Sequence, residues 1–247
     1  MNKYLFIALA MAMGLSARAQ ISFQKVIRVG VKAGITGSVF TRDVEPFDPR
    51  IPGYYENFDR YVNLNGYGGI TLDYEVTARI SLGAELLYSA KGMAYWEENN
   101  GVVFYDEDGN RGQAHNVFYF DIDYVELPIT LNVSVLRPEG KVWLKAYGGM
   151  ARGAAVYKKT KITYPEVGGY DQPGDAGKKE LQHVRTFNTS VIGGLKVGSN
   201  KRKSIFPYGD LRGSYMLQPV FNRKKADTGG NLDTRMFSLS LGLGVQF

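Results

Sequence analysis

The chain contains no cysteine, which excludes disulfides, thiolate nucleophiles and a lipid-bearing cysteine after an export signal. Past residue 19 it has no helix-length apolar run, so no spanning helix of about 20 residues is expected. It also lacks a linker that would mark a second domain, and any repeat beyond a strand-turn-strand rhythm. A strong charge of either sign is missing too: the formal +6 falls to +4 once Lys3 and Arg18 of the leader are discounted. The compact basic run Lys201-Arg-Lys203 falls in a turn and reads as a solvated tip, so no nucleic-acid partner is expected. No cofactor motif is found, and the segment 106–112 fails as a calcium loop. Arg111 stands where that loop needs glycine, and no glutamate closes it.

What is present is glycine, tyrosine and period-2 alternation. Phe237, Leu239, Leu241, Leu243, Val245 and Phe247 alternate with Ser238, Ser240, Gly242, Gly244 and Gln246. One face of that strand meets an apolar phase and the other a small or polar one, as in a transmembrane barrel. At the other end, Met1-Asn-Lys3 precedes an apolar run over 4–15 and Ala17-Arg-Ala19. Residues 1–19 therefore read as a signal peptide removed on export, and 20–247 as the β-barrel domain. The mean hydropathy of −0.22 does not contradict a membrane protein, because only every second strand residue faces lipid.

The alternation predicts eight strands, near 27–39, 62–75, 80–91, 122–135, 141–154, 186–198, 205–217 and 237–247. Connections alternate between short turns and long loops, with both termini on the short side, the organisation of an all-β, eight-stranded antiparallel up-and-down barrel in an outer membrane. Such a barrel has long extracellular loops and short periplasmic turns. Pro128 interrupts the fourth strand, where a bulge is expected. Strands three and four are expected to continue above the membrane as a ribbon turning at Asp108-Gly109. Tyr88, Phe187, Tyr215 and Phe237 form one aromatic girdle, with Tyr74 and Phe247 at the other edge. A soluble lipocalin-like binder is the alternative, since it merely inverts which face is apolar.

The chain resembles the outer-membrane β-barrel proteins of Bacteroidetes-type bacteria, often labelled PorT-like. The resemblance is carried by Val29-Gly-Val-Lys-Ala-Gly34, Ser81-Leu-Gly-Ala-Glu-Leu-Leu-Tyr-Ser-Ala-Lys-Gly92, Tyr124-Val-Glu-Leu-Pro128, Ala146-Tyr-Gly-Gly149 and the closing strand. It spans essentially the whole mature chain. It implies this fold, residence in the outer membrane and insertion by a barrel-assembly machinery, for which Phe247 of the closing strand serves as signal. The founding member's link to protein export makes a role in a secretion or assembly machinery the alternative function.

The inward faces gather Arg28, Lys32, Lys91, Lys145, Lys196 and Arg212 against Asp73, Glu75, Glu85, Glu126 and Asp210. Eight strands enclose a space that side chains fill, so these charges are expected to plug the lumen by pairing. His115 and His183 are the only histidines. His183, near Glu180 and Ser190, is the single candidate for a rim-active lipid or peptide hydrolase, and with no positioned partner the chain is expected not to be an enzyme. The working surface is instead sought in the loop aromatics Tyr54, Tyr55, Tyr95, Trp96, Tyr105 and Tyr164, suited to a protein or glycan partner, with packing of loop against loop over the barrel mouth as the equal alternative.

Overall fold

Within the membrane, inward and outward residues alternate along the barrel strands because lipid lies on one side and packed side chains on the other. The structure is a computed structural model describing residues 26–44, 58–105, 111–136, 142–163, 176–199, 205–225 and 231–247, of which 58, 97–105, 111–116, 162, 176 and 177 are described by their backbone alone. Eight strands close the barrel: β1 (Val26–Phe40), β3 (Asn63–Glu75), β4 (Ile80–Tyr105), β5 (Arg111–Ser134), β6 (Val142–Thr163), β8 (Phe187–Ser199), β9 (Phe206–Met216) and β10 (Met236–Gln246). Two short strands, β2 (Phe58–Tyr61) and β7 (Ala176–Glu180), flank the upper parts of β4 and β6.

All pairings are antiparallel, and β1 pairs with both β3 and β10, which closes the ring. A path of direct neighbours leaves β1 at Val29 and passes Leu72, Ala84, Ile129, Met150, Val191, Tyr215 and Phe237. It returns to β1 at Val39, ten residues further along. That stagger tilts the strands and, with their number, sets the width of the interior. The path itself is apolar throughout and faces outward, as do Ile35, Leu127, Leu241 and Leu243.

Tight hydrogen bonding closes the turn between β3 and β4. Ile80 N donates to Thr77 O at 3.3 Å and to Thr77 Oγ1 at 3.0 Å, while Val76 N donates to Ile80 O at 3.0 Å. Pro128 corrects one expectation. It causes no bulge: the β4–β5 register is the same on both sides, Ala84 opposite Ile129 and Leu87 opposite Glu126, and the ladder merely lapses between them. Proline lacks a donor but does not insert a residue. The register shift on β5 lies instead at Asp123/Tyr124, opposite β6, and a second lies at Asn99/Val103 of β4.

Inward glycines provide seats for rings. Tyr67 lies across its cross-strand neighbour Gly34 and reaches Gly242 one strand further, while Tyr147 lies across its neighbour Gly194 and Trp143 across its neighbour Gly198. A Cβ at Gly242 would stand 2.1 Å from Tyr67 Oη, so no larger residue fits without moving the ring. Placing Arg at Leu241, on the lipid face, should cost about 2–4 kcal/mol near the midplane. Ser240→Ala, on the inward face, should cost far less. Urea titration in detergent, read by heat-dependent gel mobility, checks the contrast.

Candidate functional site

Three layers of polar contacts fill the lower and middle lumen. At the turn end Arg28 bridges Glu75 at 3.0 Å, and Lys145 Nζ stands 3.8 Å from Glu75 and 3.9 Å from Asp73. Asn132 Nδ2 and Gln246 Nε2 each donate to Asp73 at 3.3 Å. In the middle, Lys32 Nζ sits 2.8 Å from both Glu85 and Asp210. Arg212 Nη2 reaches Glu85 at 2.7 Å, and Lys196 reaches the other Glu85 oxygen at 3.4 Å. Tyr147 Oη donates to Asp210 at 2.7 Å and accepts from Arg212 Nε at 3.1 Å. Above these, Lys91 and Glu126 pair at 2.6 Å. Of the eleven charges read as inward, Lys32, Asp73, Glu85, Lys91, Glu126, Lys145, Lys196, Asp210 and Arg212 are buried, and Arg28 and Glu75 are half-buried.

The cations also lie near the rings seated on the glycines: Lys196 Nζ is 5.1 Å from the Tyr147 centroid, and Lys145 Nζ is 5.6 Å from that of Trp143. Between the middle and upper layers lies a cavity of about 10 Å³ lined by Tyr67, Lys91, Glu126, Arg212 and their neighbours, room for about one water. A buried charge removed from water is tolerable only when paired, and here each carboxylate meets at least one cation.

Above Lys91 the inward face changes character. Phe40, Met93, Tyr95, Phe118, Phe120 and Ile122 turn inward and pack with Leu181, Val184, Val220, Phe221 and Leu232 from the connections beyond the strands. Phe120 meets Phe40 edge-on at 5.9 Å and Tyr95 at 5.7 Å. Backbone interlocks hold this cap: Val184 bridges Phe221, Arg185 N donates to Val220 O at 2.8 Å, and Val220 N to Thr234 O at 2.8 Å. Gly92 adopts φ +154° where a Cβ would stand 1.9 Å from Phe120 O, and Ser38 Oγ bonds both its N and its O at 2.8 Å.

Packing of loop aromatics over the barrel mouth was one of two readings of the sequence, but most of the strand residues that build this cap were not foreseen in it. Its signal was present as the loss of alternation in Val117-Phe-Tyr-Phe120 and Gly92-Met-Ala-Tyr-Trp96, where both faces become apolar. Tyr95 is accordingly corrected: it is not a surface aromatic but is 2% exposed in the cap, its Oη accepting from Val44 N at 3.0 Å. Burial pushes its phenol up to about 12. Trp96, one residue on, faces out and stacks on Tyr61 at 4.1 Å. Tyr54, Tyr55 and Tyr164, and the side chain of Tyr105, lie outside the described residues. His183 adopts φ 60°, and its carbonyl accepts from Asn222 N at 2.7 Å. His115 is described by its backbone alone. No group of three or more metal-ligating side chains occurs among the described residues.

The family model for an outer membrane protein β-barrel domain matches residues 18–246. Among solved structures, Neisserial surface protein A matches at 13% identity over 90% of this chain and 97% of its own, with a TM-score of 0.37. The outer membrane protein OprG from Pseudomonas aeruginosa matches at 10% identity over 92% and 99%, with a TM-score of 0.43. The outer membrane protease OmpT from Escherichia coli matches at 10% over 94% and 99%, with a TM-score of 0.41. Likenesses of this degree concern the barrel alone. None of the curated proteins matches the chain. The expectation that the chain is not an enzyme does not stand, because a filled lumen and few histidines place no bar on chemistry at the outer rim of a barrel.

With the lumen filled by paired charges and closed by the apolar cap, purified protein in planar bilayers should give no reproducible open channel. Glu85→Gln leaves Lys32, Lys196 and Arg212 around one carboxylate fewer and should destabilise the barrel by about 3–5 kcal/mol. Steady conductance of the unaltered protein would contradict this picture.

Proposed function

The chain belongs to the outer membrane protein β-barrel domain family, and from that premise we propose that it acts as a binding or interaction protein through its extracellular side. One observation supports this above others: β4 and β5 pair from the turn end to Tyr105 and Arg111, far beyond the lipid-facing rows. Beyond those rows the ribbon carries the outward stack of Tyr61 and Trp96, 39% and 36% exposed. Paired exposed aromatics on a hydrogen-bonded ribbon suit contact with a protein or a glycan. The finer kinship to PorT-like proteins belongs to this proposal, and so does a signal peptide over residues 1–19.

Crosslinked affinity capture from intact cells tests the reading, comparing the native chain with Tyr61→Ser/Trp96→Ser. Loss of an extracellular protein or glycan in the variant supports it. Co-purification of secretion components, unchanged in the variant, would replace it with a role in an export or assembly machinery.

We also propose that Phe247 addresses the chain to the barrel-assembly machinery. It lies just past β10 on the outward side, 62% exposed, and its N donates to Val29 O at 2.8 Å across the closing seam. Phe247→Asp should lower the membrane-inserted fraction several-fold and raise the misassembled pool, as pulse-labelling with heat-dependent mobility would show. Unaltered insertion would remove the assignment.

A further inference from the structure

Where the strands leave lipid, the register gathers one set of side chains on the outward face of the extracellular sheet. Phe118, Phe120 and Ile122 of β5 and Met93 and Tyr95 of β4 fill the cap on the inward side. The residues between them, Tyr119, Asp121, Ala94 and Trp96, therefore face outward. Ala94 is the direct neighbour of Tyr61 on β2 and of Tyr119 on β5, and Tyr119 in turn of Lys161 on β6. One step nearer the membrane, Gly92 neighbours Asp121, and Asp121 neighbours Lys159. Direct cross-strand neighbours share a face, so these residues form two adjacent rows on one surface, roughly 7 Å apart along the strands.

The upper row carries aromatic surface. Tyr61 stacks on Trp96 at 4.1 Å with an interplanar angle of 23°, and Tyr119 stands half-exposed on the other side of Ala94. The lower row carries a hydrogen-bonding pair. Asn63 Nδ2 donates to Asp121 Oδ1 at 3.2 Å, and the bare backbone of Gly92 lies beneath them. Burial raises the Asp121 carboxyl above its ordinary range, against the opposing pull of Asn63, Lys178 and Lys161. A carboxylate partly withdrawn from water gains from each further donor that reaches it.

A sugar ring has the same two-part surface, C–H bonds across its flat face and hydroxyls, each donor and acceptor, around its edge. Aromatic faces are electron-rich and attract C–H hydrogens. A carboxylate beside an amide accepts from and donates to neighbouring hydroxyls. A protein partner fits less well, because the core of a protein interface is depleted of charge, whereas Asp59, Asp121, Lys159 and Lys161 border these rings. Acids and bases balance along that border, which favours an uncharged ligand over a polyanion. We propose that Tyr61, Trp96, Tyr119, Asn63 and Asp121 form a binding site for a pyranose unit of a neutral glycan. The inference rests on the extracellular binding role proposed above and narrows its occupant to sugar.

The chain has two tryptophans, and Trp143 is buried in the lumen, so acrylamide quenching of the folded protein in detergent reports on Trp96. Maltohexaose, cellohexaose, mannohexaose and a sulfated maltohexaose are the probes. At least one neutral oligomer should protect Trp96 saturably, with at least fivefold higher affinity than the sulfated one. Asp121→Ala, checked for folding by heat-dependent mobility, should weaken that binding at least tenfold, while Asp121→Asn, which keeps an acceptor oxygen, should weaken it less. Protection by none of the neutral oligomers overturns the proposal. Tighter binding of the sulfated oligomer does so too, as does native affinity in a folded Asp121→Ala variant. A protein captured through Tyr61 and Trp96, with no oligomer protecting, separates the two readings: the extracellular role stands and the sugar site falls. Should the Asp121→Ala variant misfold, the comparison of neutral and sulfated oligomers on the native chain decides by itself.

Discussion

The bilayer offers no water to unpaired backbone groups, so a sheet inside it must close on itself. Here closure is the seam where β1 meets β10 from Gly30–Gln246 up to Phe40–Met236. Eight strands and a ten-residue stagger then determine the interior width, and that width governs how the lumen is filled. Such a ring is too narrow for a wet pore, so side chains occupy it. The glycines of β1, β8 and β10 make room for Tyr67, Tyr147 and Trp143, which would otherwise collide with the facing backbone.

The filling is of two kinds, stacked along the barrel. In the membrane the inward groups are ionic, and each buried carboxylate is held by a nearby cation, Glu85 by three of them. Such a network specifies register and arrangement more than it adds stability, since desolvation offsets much of the attraction. Above it lies an apolar core like that of a soluble protein, built where strands emerge from lipid and connections fold over the mouth. There the outward face is wet, so the inward face alone can bury apolar surface.

The barrel strands were legible because lipid on one face and a packed interior on the other impose a period of two, and β10 displays it without exception. The inward charges were legible for the same reason, parity alone assigning Lys32, Glu85, Asp210 and Arg212 to one side. Parity says nothing of partners, however. That Lys32 sits between Glu85 and Asp210, residues 53 and 178 positions away, depends on the stagger accumulated around the ring. Pro128 illustrates the same boundary: a missing donor was visible in the sequence, but whether the ladder would bulge or merely lapse depended on β4.

Sequence by itself determined the strand number, the two faces, the sorting of short and long connections and the polar interior, because each comes from local alternation against a two-sided environment. Only the tertiary structure decided the pairing of the lumen charges, the burial of Tyr95 beside the exposure of Trp96, and the cap that joins residues as distant as Phe40 and Leu232. Those depend on closure, which brings chain segments together at heights that no local pattern encodes.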